Sequence, residues 1–106
     1  MRKVIRNVDG KEIGFIADNG SLCKKVKRSR HFMRELNGWG YDTRIIEGEE
    51  FDEVKILDIE TDTVYVSKKE DWLNHGIRKN FGYGDQIILP LKWHEVRDRK
   101  QMRIIE

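Results

Sequence analysis

From Asn19 to Arg34 the chain carries no acid and six fixed cations, Lys24, Lys25, Lys27, Arg28, Arg30 and Arg34, with Trp39 and Tyr41 a few residues on. Phosphate contacts need several Lys or Arg along one surface, and an aromatic ring offers stacking to an unpaired base. The segment therefore reads as a nucleic-acid contact through Lys24, Lys25, Lys27, Arg28, Arg30, Arg34 and Trp39. Plainer readings stand beside it. Edge strands carry lysines to block aggregation, and Trp39, held between Asn37-Gly38 and Gly40, suits a core plug.

A second constellation is Asp42 followed by Glu53-Val54-Lys55. Carboxylates that hold a hard divalent ion, with a lysine to position water, are the working parts of restriction-type nucleases. Strand alternation would place Glu53 and Lys55 on one face. Asp42 before Thr43-Arg44-Ile45-Ile46 reads more simply as a helix N-cap. Phe81-Gly82-Tyr83-Gly84 behind Lys79 is similar to an RNA-recognition strand signature, but Asn80 stands where that motif needs glycine and too few residues follow for that fold. It is expected to be a glycine-flexed loop whose aromatics cap a sheet. His31, His75 and His94 match no zinc spacing, and the single Cys23 excludes an internal disulfide and is expected to be a small core or edge residue.

Charge is strongly patterned although the net is only +2. Against the basic block, residues 47–62 hold Glu47, Glu49, Glu50, Asp52, Glu53, Asp58, Glu60 and Asp62 with Lys55 as the one cation. Blocks of opposite sign neutralise each other across a fold or face a partner. An acidic 47–62 face would suit a protein-binding inhibitor or adaptor. At 106 residues the chain has the length of one domain, 1–106. No window approaches the roughly 18 apolar residues of a membrane span, and Met1 to Arg6 opens no signal-peptide run. A cytoplasmic protein with no membrane partner is expected.

The elements that must position these residues are marked by their turns. Asp9-Gly10 and Asn19-Gly20 supply the positive-φ residues of tight hairpins, which predicts three strands over about 3–8, 11–18 and 21–27. Two-residue loops would gather Val4, Val8, Ile13, Phe15, Ala17, Leu22 and Val26 on one face. A short helical turn is expected at about 30–36; a single basic helix over 22–36 is the competing reading. Residues 54–60 and 63–67 read as a second hairpin with Leu57, Ile59, Val64 and Val66 on one face. Ser67 and Glu70 suggest a capping box, with Trp72 and Leu73 buried behind it and Gly76 as the residue after the helix. Residues 86–89 form a strand ended by Pro90, and 93–96 and 102–105 add edge strands. Trp39-Gly40-Tyr41 suggests a tight turn. The fold class is α+β, a mostly antiparallel sheet made of an N-terminal three-stranded meander and a central hairpin, with one or two short helices.

The run Ser29-Arg30-His31-Phe32-Met33-Arg34 with Trp39-Gly40-Tyr41-Asp42, and the later run from Gly82 to Trp93, resemble small proteins of bacterial phages and integrative mobile elements. That resemblance implies an accessory role and carries over no catalytic or binding residue. The expected function is non-catalytic binding of nucleic acid through residues 24–34. The alternatives are a metal-dependent nuclease using Asp42, Glu53 and Lys55, and the acidic-face adaptor with a host protein as partner. No cofactor and no resident metal are expected.

Overall fold

Hairpin chemistry opens the chain. In the computed structural model, which describes residues 2–5, 10–82 and 84–98, strand β1 (Arg2–Ile5) pairs antiparallel with β2 (Glu12–Ile16), and β2 with β3 (Ser21–Val26). Gly20 takes a φ of +86°. Its N–H bonds to Ala17 O at 3.0 Å, and Ala17 N–H bonds to Ser21 O at 2.9 Å. The loop is thus three residues, a turn closed by a left-handed glycine, and not two. That extra residue shifts the register by one, so Ile16 faces Leu22 and Phe15 faces Cys23. Val4, Ile16, Leu22 and Val26 enter the main core, while Phe15 and Ala17 pack with Cys23 on the other face. The single expected face is corrected accordingly: a one-residue slip exchanges the two faces of a strand. Val8 lies outside the described residues.

The basic segment is strand, then helical turn. After β3 come α1 (Arg28–His31), the two-residue β4 (Phe32–Met33) and a 3-10 turn over Arg34–Leu36. Asn37, at a φ of +47°, ends that turn in the left-handed conformation. Trp39-Gly40-Tyr41 is not a tight turn; it belongs to β5 (Gly38–Asp42), which leads into α2 (Thr43–Gly48). The second hairpin is β6 (Glu53–Asp58) with β7 (Thr63–Lys68). Its four-residue turn moves the pairing by two, which keeps Leu57, Val64 and Val66 on one face but leaves Ile59 in the turn, 48 % exposed.

Helix α3 (Lys69–His75) begins without a side-chain cap. Ser67 is still in β7, and its hydroxyl accepts from Trp72 Nε1 at 2.7 Å, so the expected capping box does not form. Trp72 is buried as anticipated, whereas Leu73 is 44 % exposed and Gly76 is extended, not left-handed. Strand β8 (Ile77–Asn80) then pairs with β9 (Asp85–Pro90), and β10 (Glu95–Asp98) follows a 3-10 turn over Leu91–Trp93. The expected strand over 102–105 lies outside the described residues.

These strands make two sheets. The larger runs β1-β2-β3-β6-β7-β10 and is antiparallel except where β3 and β6 run parallel; the smaller runs β4-β5-β9-β8. A parallel neighbour needs a long crossover, and residues 27–52 supply it by building α1, β4, β5 and α2 on the way. Between the sheets lies the main core of Leu22, Val54, Ile56, Tyr65, Trp39, Trp72, Ile87 and Leu89. The result is an α+β domain with mostly antiparallel strands. Its radius of gyration, 12.7 Å, is that of one domain of this length. No helix among the described residues is long and apolar enough to cross a membrane.

Candidate functional site

The basic segment splits by side-chain direction. Because β3 alternates, Lys24 points inward with Leu22 and Val26, while Lys25 is exposed. Lys24 Nζ donates to Gly40 O at 2.6 Å and sits 4.2 Å above the Tyr41 ring. Among the described residues no carboxylate lies within ion-pair distance of it. Loss of water pulls its pKa down to about 7, since the charged form suffers most from burial.

Around this amine opens a cleft of about 840 Å³, set between β2–β3 and β5–β9 with α1 at its rim. Ile13, Met33, Phe81 and Ile88 give it apolar walls; Lys25, Arg30 and His31 stand at the α1 side, and Gln86 adds an amide. Gly14 makes the floor possible. A side chain there would collide with the Tyr41 hydroxyl, which instead reaches across β2 to donate to Ile13 O at 3.4 Å. Burial holds the Tyr41 phenol well above its ordinary range. His31 is held below its usual value by burial, then by Lys24 and the neighbouring cations Lys11 and Arg30.

The other expected contacts divide in two. Lys25, Lys27, Arg30 and Arg34 are exposed and make no ion pair with a described carboxylate. Arg28 is structural: its guanidinium lies 3.9 Å over Phe32 and donates to Tyr65 Oη at 3.2 Å. Trp39 does not join the surface. It is fully buried, edge-on to Phe32 at 5.1 Å and tilted on Tyr65 at 5.2 Å, because β5 turns its face toward the larger sheet.

The acidic block is largely committed elsewhere. Asp58, fully buried, accepts from Arg28 N at 3.3 Å, Glu60 N at 3.0 Å and Thr61 Oγ1 at 2.8 Å. Glu60 accepts from Ser29 N at 2.9 Å and Ser29 Oγ at 2.6 Å, which lowers its pKa. Both acids thus hold the start of α1 through backbone N–H groups and fix the basic turn, and Glu60 also feels the charge of Lys27 without forming a close ion pair with it. Glu47 pairs with Arg78 and Glu49 with Arg2.

Glu53 and Lys55 share one face of β6, with Nζ 3.5 Å from Oε1. Asp42 sits in the smaller sheet, where its carboxylate caps Arg44 N at 2.8 Å and binds Arg44 Nη2 at 3.0 Å. Among the described residues no group of three or more His, Cys, Asp or Glu is placed to hold a metal ion. His75 stacks on Trp93 at 3.8 Å. Cys23 is 1 % exposed, and burial raises its thiol to about 11, so it is a packing residue.

The cleft itself was not foreseen. One signal pointed to it: Gly14, alone inside a strand, marks a close approach by another group. Comparison with known proteins adds no relative, since no family model, curated protein or solved structure matches the chain.

Proposed function

We propose that this domain is a non-catalytic nucleic-acid-binding protein, of the accessory kind carried by mobile elements, that holds phosphates through Lys25, Lys27, Arg30 and Arg34. The observation that carries this reading is that these four exposed cations make no close ion pair with a described carboxylate, although eight acids lie within residues 47–62. Exposed cations outside close ion pairs, strung along one segment from β3 to the 3-10 turn, attract a polyanion and release its counterions. Glu60 and Asp58 support the reading from behind by fixing α1 through Arg28 N and Ser29 N.

Fluorescence anisotropy with labelled DNA and RNA strands tests it. Binding should weaken steeply as salt rises from 50 to 200 mM, on the order of tenfold or more for several phosphate contacts. Replacing Lys25 and Lys27 with glutamine should weaken all sequences alike and lower the salt slope by about two. No binding at low salt would end the proposal.

A further inference from the structure

The cleft beside the basic turn has a polarity that phosphate binding alone leaves unused. Its volume, about 840 Å³, falls in the range of sites that enclose small ligands. The interior is lined by Ile13, Met33, Ile88 and the Phe81 ring, while Lys25 and Arg30 stand at its α1 side. Against its inner wall stands Lys24 Nζ, with one proton on Gly40 O and no carboxylate within ion-pair distance among the described residues. Buried donors want acceptors. A nucleobase meets each demand: flat apolar faces for the walls, and ring carbonyls for the donor. A base within a duplex cannot enter such a space, whereas an unpaired one can.

We propose that the cleft takes one unstacked base of a bound single strand, Lys24 donating to a ring carbonyl of that base while Lys25 and Arg30 hold the flanking phosphates. This rests on the phosphate-binding reading above. Gln86, also in the cleft, offers an amide to the same base edge. Thymine, uracil and guanine carry ring carbonyl oxygens beside a ring N–H; adenine has no carbonyl and offers Lys24 only ring nitrogens, in a different position, as acceptors.

The test uses three ten-nucleotide deoxyribose-phosphate strands: one wholly abasic, one abasic except for a central thymine, one abasic except for a central adenine. Anisotropy at fixed salt should show the single thymine tightening binding about tenfold over the abasic strand, in the range of one base stacked in a protein site. The single adenine should give clearly less. Lys24→Met should remove the thymine-over-adenine difference and keep the salt slope. Lys25→Gln with Arg30→Gln should do the reverse, lowering the slope and keeping the difference. Equal binding of all three strands by the wild-type protein would overturn the base pocket, and the salt dependence of the abasic strand would then leave the phosphate reading standing. If no strand binds, both fall. The wild-type comparison depends on no variant, so a Lys24→Met protein that fails to fold leaves the decision intact.

Discussion

His94 and Lys24 are both bases that the fold holds largely out of water, and both lose basicity for that reason, to about 4 and about 7 respectively. Their surroundings differ. His94 is sealed, 8 % exposed, with Nε2 donating to Leu89 O at 3.1 Å and its ring edge-on to Trp72 at 5.8 Å and Tyr65 at 6.2 Å. Lys24 opens into a cleft with charged residues around it. The same desolvation is therefore structural in one place and available to a ligand in the other. Depressed basicity alone does not mark a site; access to space does.

The sealed side should break first and hardest. Trp72 is fully buried, and its indole N–H satisfies Ser67. Trp72→Ala should cost about 3–5 kcal/mol in urea unfolding, from lost burial and the cavity left behind. It should also let water reach His94 and return that imidazole toward ordinary basicity, visible in a histidine proton titration by NMR. A loss below about 1 kcal/mol would mean that the aromatic layer is not the core it is taken for.

Acid should find His94 next. Its folded pKa lies below the unfolded value, so between about 6.5 and 4 the unfolded chain binds more protons and stability falls as pH drops. Integrated over that window the loss is roughly 3 kcal/mol. His31, lowered as well, acts in the same direction. Urea midpoints at pH 7, 5 and 4 check this, and His94→Phe should flatten most of the slope. An unchanged slope would place the acid sensitivity elsewhere.

Lys24 predicts the same trend, stability rising with pH, on the other side of neutrality. Its folded pKa is also depressed, so its charge opposes folding fully below about pH 7, and the opposition fades as pH rises toward the unfolded value. Wild-type stability should climb between pH 7 and 9 by on the order of 1–2 kcal/mol, and Lys24→Met should be more stable at pH 7 with no such climb. The window ends near pH 9 because Cys23, whose thiol is raised to about 11, then favours the unfolded state. A Lys24→Met protein that keeps the full climb would show the amine to be well solvated.

How much of this was legible in the sequence depends on distance along the chain. Asn19-Gly20 announced its hairpin, but turn chemistry alone does not separate two-residue from three-residue loops, and Gly20 accommodates the longer one. That one residue sent Phe15 away from the core and Ile16 into it. The smaller sheet was harder to see because β8 is exposed at every residue and β5 places glycines on either side of Trp39, so neither alternates visibly. The cleft needs β2, β3, β5 and β9 together, and only the lone glycine inside β2, Gly14, where Tyr41 approaches closely, hinted at it. Of the residues read as nucleic-acid contacts, Lys25, Lys27, Arg30 and Arg34 are at the surface; Trp39 and Arg28 went to packing because long-range partners claimed them.

The smallest effect concerns Asp42, which borders the cleft yet is held by local bonds. Its Oδ1 accepts from Arg44 N at 2.8 Å at the start of α2, the duty of an N-cap. Asp42→Ala should therefore cost about 1 kcal/mol in the urea midpoint. Asp42→Asn should recover most of it, since an amide oxygen caps as well as a carboxylate oxygen and the ion pair to the exposed Arg44 that it gives up is a weak surface one. A metal-ligand role would give another pattern. An amide is a poor substitute for a charged ligand to a hard cation, so Asp42→Asn would then abolish magnesium-dependent strand cleavage while leaving stability nearly intact. Running the two variants side by side, for stability and for cleavage with magnesium or manganese, separates cap from ligand in a single residue. Rescue of stability by asparagine with no cleavage in any variant is the expected outcome.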